Sequence, residues 1–253
     1  MKNSTTERRK YYYAAAVIIW IVVWTVLSAV VGEEIFLPSP LSTLRSLGTL
    51  IPTSSFWRAV AFTLSRVLLG IILSFISALI LGVLSSFSTT LEIFLSPLVK
   101  AMRSVPVASI IILTLLWVKS RNLSVVISFL MVFPIIYSSV LSGMNDTSPL
   151  LLEMASNYSV TTWKRIRYIY IPSLFPYVKT GVRNAVGLAW KSAIAAEVIG
   201  LPSSSIGSSL YEAKVYLLTA DLFAWTIVIV LLSSLFEKVT LLLLDISERR
   251  LLK

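Results

Sequence analysis

The 253 residues include neither cysteine nor histidine. Without thiols there is no disulfide framework, no thiolate nucleophile and no soft metal site. Without imidazole there is no histidine ligand and no base titrating near neutrality. Charge is also scarce: 13% of residues are charged against 57% hydrophobic, whereas soluble globular chains carry about a quarter charged residues. Acidic residues are the scarcer sign, 12 against 22 Lys and Arg. They are scattered, so the constellation a membrane-embedded enzyme needs does not form. A Gly-x-x-x-x-Gly-Lys-Ser/Thr loop is missing too. That loop is the backbone cradle for nucleotide phosphates in P-loop proteins, so ATP chemistry of that kind must come from another chain.

What the sequence does have is long apolar runs. A soluble chain needs a polar skin, and these stretches offer none, which makes lipid the solvent. A helix needs roughly 20 apolar residues to cross the hydrocarbon with its backbone satisfied internally. Six such runs extend approximately from Ala14 to Val31, Ala61 to Phe87, Leu98 to Val118, Leu123 to Leu141, Tyr177 to Ile199 and Leu222 to Leu244. The expected fold is an all-α membrane protein with six transmembrane helices. The first run follows Arg8, Arg9 and Lys10 like a signal peptide, but no small-x-small cleavage site succeeds it, and it is read as a retained span.

The formal charge of +10 gathers at the ends of these runs and not on one stripe with interleaved aromatics, which argues against nucleic acid. Lys2, Arg8, Arg9 and Lys10 precede the first run, Lys164, Arg165 and Arg167 separate the fourth from the fifth, and Arg249, Arg250 and Lys253 follow the sixth. Cations mark the cytoplasmic side, so both termini are expected there, as an even number of spans requires. Lys119, Arg121 and Lys214 fall outside and weaken this bias without reversing it.

The stretch from Thr147 to Pro176 is the longest between spans. Ser148 before Pro149 is a helix start, after which Leu151, Met154 and Tyr158 form an apolar face. A second start at Thr161-Thr162 puts Trp163, Ile166 and Tyr170 on one face, and Pro172 is expected to end that helix. Two short helices at roughly a right angle make a knob for a groove on a soluble partner, or else an interfacial hairpin that only links two spans. On the other side, Leu37-Pro38-Ser39-Pro40 introduces Leu41, Leu44, Leu47 and Ile51 at helical spacing, an amphipathic segment along the membrane surface.

Glu153-Met154-Ala155, followed by Trp163 and then Ile171-Pro172, resembles the signature loop of binding-protein-dependent ABC importer permeases. That loop reads Glu-Ala-Ala, a short spacer, Gly, and a longer spacer to an apolar-Pro pair. Glu153, Ala155, Ser159 and Pro172 fall on its motif positions, with Met154 where the first Ala is usual and Ser159 where the Gly is usual. Glycine permits positive φ at the turn, and a serine keeping that conformation costs about 1 kcal/mol. Leu37-Pro38-Ser39-Pro40, Arg103-Ser104-Val105-Pro106, Gly187-Leu188-Ala189-Trp190 and Ala195-Ala196-Glu197-Val198-Ile199-Gly200 narrow the resemblance to the nitrate, sulfonate and taurine type.

The resemblance implies a type I ABC importer transmembrane domain in the cell membrane. Residues 1–57 would hold the cytoplasmic tail, first span and outer amphipathic segment, 58–245 the transmembrane domain with its coupling loop 147–176, and 246–253 a basic tail. Glu153, Met154, Ala155, Tyr158, Ser159, Trp163 and Pro172 would belong to the ATPase-coupling loop. The implied partners are an ABC ATPase dimer carrying ATP and Mg, an extracytoplasmic solute-binding protein, and a second permease copy. The chain itself would hold no cofactor and no catalytic residue.

Lys191 and Glu197 lie in the fifth run, where an ionised group is expensive. Six residues apart, they are roughly 120° apart around a helix and cannot pair. They line a translocation path or glue helices together. Arg103 before Val105-Pro106 is a candidate gate or simply a helix start, while Lys179 and Arg183 are expected to snorkel to the interface. Arg103, Pro106, Trp190, Lys191 and Glu197 are the path candidates. The expected function is import of a small solute by alternating access. The alternative, an ion-coupled secondary transporter or channel, commonly shows two related halves, and these are not evident.

Overall fold

The computed structural model describes Lys2–Leu251, without the side chains of residues 2–10, 13, 14 and 251. Lys253 and the side chains of Lys2, Arg8, Arg9 and Lys10, on which part of the charge reading rests, lie outside the described residues. In order come α1 (Lys2–Val31), α2 (Pro40–Leu50), α3 (Ser54–Phe87), α4 (Thr89–Ser104), α5 (Val107–Thr114) and α6 (Ser120–Asn145). They are followed by α7 (Pro149–Asn157), α8 (Thr162–Arg165), a π-turn (Ile166–Tyr170), α9 (Ile171–Gly200), α10 (Ile206–Val215) and α11 (Thr219–Leu251). No strand occurs among the described residues.

Helices α3, α6 and α11 are each long and apolar enough to cross a membrane, and the apolar part of α1, Ala15–Val31, is shorter. The 30 residues of α9 reach about 45 Å at 1.5 Å per residue, but this helix, which carries Lys191 and Glu197, is not among those both long and apolar enough to cross. The run from Leu98 to Val118 departs from expectation. It is no single helix: α4 and α5 meet at a bend of 106°. Pro106 has no N–H and forces the residue before it out of the helical region. Val105 is accordingly extended (φ −77°, ψ 133°), and α5 begins only after Pro106.

The second departure is at Pro172, which does not stop the loop's second helix. The chain runs from α8 through the π-turn into α9, with Pro172 in the first turn of α9. The Ile171 N–H reaches back five residues to the Ile166 carbonyl. This wider turn shifts the backbone that the proline ring would strike in a regular helix.

The core is a sandwich of α3, α6 and α9 with α6 in the middle. On α3 the face toward α6 reads Gly70, Ser74, Ala78, Gly82 and Ser85, all buried, a small residue at nearly every turn. A Cβ added at Gly70 would stand 2.6 Å from the Val125 carbonyl oxygen, so the helices approach closer than any larger residue permits. On the α9 side, Trp190 is 1% exposed and meets Phe236 of α11 edge-on at 6.0 Å. Phe129, Phe133 and Tyr137 stack along α6, and the Tyr137 hydroxyl donates to Ser85 Oγ at 3.0 Å.

Helix α2 forms where the amphipathic segment was expected. Ser39 Oγ accepts from the Ser42 N–H and Pro40 takes the first turn. Leu41, Leu44 and Ile51 face outward, while Thr43 and Ser46 are buried, Ser46 Oγ donating to Asp221 Oδ1 of α11 at 2.6 Å. Polar atoms turn inward because lipid offers them no partner.

Candidate functional site

Both ends of α9, and the bend between α4 and α5, carry the residues singled out by sequence. At one end is the loop from α6 to α9. Ser148 occupies the N-cap of α7 with Pro149 behind it, although the Ser148 side chain makes no capping hydrogen bond. Ala155 alone is buried in α7, at 5% exposure, and it seats the helix. Glu153, Met154, Tyr158 and Ser159 are exposed, as is Trp163, with Tyr158 at 79% and Trp163 at 72%. Pro172 sits apart from them, half-buried at the base of α9.

The turn after α7 is a Schellman closure: the Val160 N–H donates to the Ala155 carbonyl at 2.8 Å and the Ser159 N–H to the Ser156 carbonyl at 3.0 Å. It needs a left-handed residue, and Ser159 supplies it at φ +51°. The serine thus adopts the conformation for which glycine is the unstrained choice, at about 1 kcal/mol. Arg165, read from sequence only as an orienting charge, holds the turn. Its Nε donates to the Val160 carbonyl at 2.9 Å and its Nη2 to the Ala155 carbonyl at 3.2 Å. A cation placed to meet the last carbonyls of the preceding helix was the available signal.

At the other end of α9, Glu197 is completely buried. Its Oε2 accepts from Thr63 Oγ1 of α3 at 2.8 Å and from the Gly207 N–H of α10 at 3.1 Å. Thr63 Oγ1 in turn accepts from the Ile206 N–H at 3.1 Å. One orphan N–H at the N-terminus of α10, that of Gly207, therefore points at the Glu197 carboxyl, while that of Ile206 is taken by Thr63. Ser205 and Ser208 complete a capping box on the same turn. A Cβ on Gly207 would overlap the Glu197 side chain, so the approach needs a glycine. Thr63 and Gly207 carried no motif that sequence alone could flag.

Lys191 follows Trp190 in sequence but is exposed where Trp190 is buried. Thr180, Arg183 and Asn184 are exposed on α9 as well. Arg103, in the last turn of α4, donates from Nη2 to the Pro134 carbonyl at 2.8 Å and to Ser138 Oγ at 2.6 Å, both on α6. It lines an open cavity of about 580 Å³ together with Ser138, Ser139, Ser142 and Thr180. Pro106 is exposed at the bend nearby in sequence. The five path candidates thus divide: Arg103, Pro106 and Lys191 are exposed, while Trp190 and Glu197 are packed inside.

Lys179 does not snorkel freely. It bridges α9 to α11 by pairing with Asp245 at 2.5 Å and Glu248 at 2.7 Å. No group of three or more acidic side chains with metal-ligand geometry exists among the described residues.

Residues 70–253 match the family described as binding-protein-dependent transport system inner membrane component. The putative aliphatic sulfonates transport permease protein SsuC of Bacillus subtilis is 26% identical, over 92% of this chain and 83% of its own length. The taurine transport system permease protein TauC of Escherichia coli is 24% identical, over 85% and 80% respectively. The nitrate import permease protein NrtB of Synechococcus elongatus is 27% identical, over 77% and 73%. The matched region takes in the loop from α6 to α9, the Arg103 cavity and Glu197. These relatives are transport permeases, not enzymes, and in such systems the ATPase is a separate subunit. The chain is a multi-pass inner-membrane permease subunit of an ABC importer and belongs to the family of binding-protein-dependent transport system inner membrane components.

Proposed function

We propose that two copies of this permease enclose a path for a small solute and that the loop 147–176 is the knob by which an ATPase dimer drives it. In this arrangement α1, α3, the bent α4–α5 pair, α6, α9 and α11 make six crossings with both termini in the cytoplasm. Residues 1–57 form tail, first crossing and outer helix, 58–245 the transport domain, and 246–253 a basic tail.

The supporting observation is the exposure of Leu150, Met154, Tyr158 and Trp163 around a turn that is itself hydrogen-bonded and clamped by Arg165. Apolar side chains on a firm support suit a groove on a soluble protein. Burying an aromatic side chain removes roughly 150–250 Å², on the order of 4–6 kcal/mol at about 25 cal/mol per Å² as an upper bound. Tilting a two-state bundle from 1:99 to 99:1 takes about 5.5 kcal/mol. Two aromatics whose burial differs between states are therefore enough to drive the change.

Glu153, Met154, Ala155, Tyr158, Ser159 and Trp163 form the docking surface, and Pro172 sets the junction through which its movement enters α9. ATP and Mg are bound by the partner ATPase. Closure of the ATPase dimer pushes the knob, the spans rock to open the path outward, and an extracytoplasmic solute-binding protein delivers its load. Arg103, Pro106 and Lys191 line that path, with Trp190 and Glu197 supporting it from behind. The solute belongs to the class that the relatives' names span: sulfonates, taurine, nitrate, bicarbonate or a formylaminopyrimidine-like vitamin precursor.

Co-purification with the ATPase and binding protein, followed by ATPase assays, tests this reading. Binding-protein-stimulated hydrolysis that Glu153→Ala uncouples from uptake is the expected result. Solute flux by the lone chain in liposomes, with no ATPase retained, would place it instead with secondary transporters or channels.

A further inference from the structure

Helix α11 is tied to α9 at two places and stands off between them. At one, Phe236 meets Trp190. At the other, Asp245 and Glu248 hold Lys179. Along α9 these ties are about 16 Å apart at 1.5 Å per residue. Between them lies a cavity of about 180 Å³ whose walls come from α3, α6, α9 and α11, with Phe75, Val132, Val186 and Leu244 each lining it. Thr240 brings the one hydroxyl among its lining residues. A buried water needs about two to four polar partners, so water does not suit this space. Ile72 and Ile76 line it and are also exposed, beside Leu73 and Ile80, so the cavity is a groove that opens onto the apolar outer face of α3. Of the three helices long and apolar enough to cross a membrane, α11 is the least covered by protein.

The mouth of the groove at the Lys179 tie is basic. Arg183 is exposed one turn after Lys179 on α9, and Arg249 and Arg250 are exposed beyond Leu244 on α11. Arg249 and Arg183 both bring their charge to bear on Asp245, which gathers them around the Lys179 bridge. The salt bridges among the described residues are made by Lys179 alone, so neither Arg183 nor Arg249 has a carboxylate of its own there. We infer that the groove holds one anionic phospholipid, with an acyl chain lying between α3 and α11 and the phosphate resting on Arg183 and Arg249. Half the hydrocarbon thickness is about 15 Å, close to the spacing of the two ties, so a chain rooted at the basic mouth reaches the Trp190 end. The guanidinium forks match the oxygens of a phosphodiester. A zwitterionic headgroup carries the same phosphate together with a cation, which this mouth repels. Seated in this way, the lipid gives α11 the packing that side chains leave incomplete. The site rests on the chain's place in the membrane and not on what it transports.

The full-length permease is exchanged free of native lipid in mild detergent and titrated with phosphatidylglycerol or with phosphatidylcholine of the same acyl chains, and bound lipid is read by native mass spectrometry. The expected result is saturable retention of a single phosphatidylglycerol per chain and far weaker retention of phosphatidylcholine. Arg183→Gln and Arg249→Gln should each weaken the anionic lipid roughly fivefold, and together abolish the preference. Thr240→Phe fills the groove from α11 and should lose the lipid as well. Ile76→Trp is the companion variant, because it fills the groove from an exposed position on α3 and should keep the wild-type Tm in phosphatidylcholine nanodiscs. Equal retention of the two lipids, which marks annular lipid only, overturns the inference. So does phosphatidylglycerol retention undiminished in the double arginine variant, or undiminished in both Thr240→Phe and Ile76→Trp. Disulfide-linked dimers formed by Thr240→Cys, in a chain with no other cysteine, would overturn it too and assign the groove to a second copy.

Discussion

The two ends of α9 are built on opposite plans. Toward α10, the buried Glu197 carboxyl gathers Thr63 from α3 and Gly207 from α10 on its Oε2, with Ile206 joined through Thr63, while its Oε1 is buried without a partner. Toward α7, the side chains that matter stand in solvent on a turn whose serine holds a left-handed conformation. One end fixes three elements to each other. The other holds its own backbone firmly and leaves its apolar surface for something else to cover. A helix with one anchored and one presenting end is suited to carry a push, because force applied at the free end meets a fixed point at the far one.

Substitutions at the two ends should separate stability from coupling. The largest effect is expected for Glu197→Ala, which leaves the buried Gly207 N–H and Thr63 hydroxyl without their acceptor. Leaving two buried donors unmatched costs roughly 1–3 kcal/mol each, to be read as a lower Tm and poor recovery in detergent, and Glu197→Gln should restore part of it. An unchanged Tm would show that the carboxyl does not hold α10. Next comes the double variant Tyr158→Ala, Trp163→Ala. With both side chains exposed, Tm should move by no more than about 0.5 kcal/mol equivalent, while ATPase retention on a tagged permease falls severely. Undiminished retention would remove the knob's docking role.

Arg165→Ala should come third, releasing the Ala155 and Val160 carbonyls at about 1–2 kcal/mol of local order. The readout is faster amide exchange through α7, together with transport reduced more than ATP hydrolysis. If exchange does not change, the clamp is decorative. The smallest effect is Ser159→Gly, which relieves about 1 kcal/mol of backbone strain. It should slow exchange in the same turn or leave it unchanged, and a loosened turn would mean that the left-handed conformation is not native to it.

Much of this was legible beforehand because apolar length and helical spacing are local signals. The runs beginning at Ala14, Ala61, Leu123, Tyr177 and Leu222 each fall within one helix. The glutamate and serine of the loop motif marked the turn after α7, and the left-handed need at Ser159 followed from the residue type usual there. Proline was harder to read. Pro106 divides a run whose hydropathy is continuous, whereas Pro172 was given the power to end a helix and is absorbed by a π-turn. Whether a proline breaks or merely widens a helix depends on what the freed carbonyl meets, and that is tertiary information. The partners of Glu197 lie 134 and 10 residues away, and no periodicity announces them.

The central claim, that the α7 end is engaged and moved by an ATPase while the α10 end stays fixed, has a direct test because the chain is free of cysteine. Single cysteines at Met154→Cys and Glu212→Cys, both exposed positions, are labelled with a maleimide in proteoliposomes, with and without the ATPase and in the presence or absence of ATP. Protection of the Met154 site by the ATPase, changing with nucleotide while the Glu212 site reacts at one rate throughout, is the predicted result. Equal reactivity at Met154 with and without the ATPase would contradict the account.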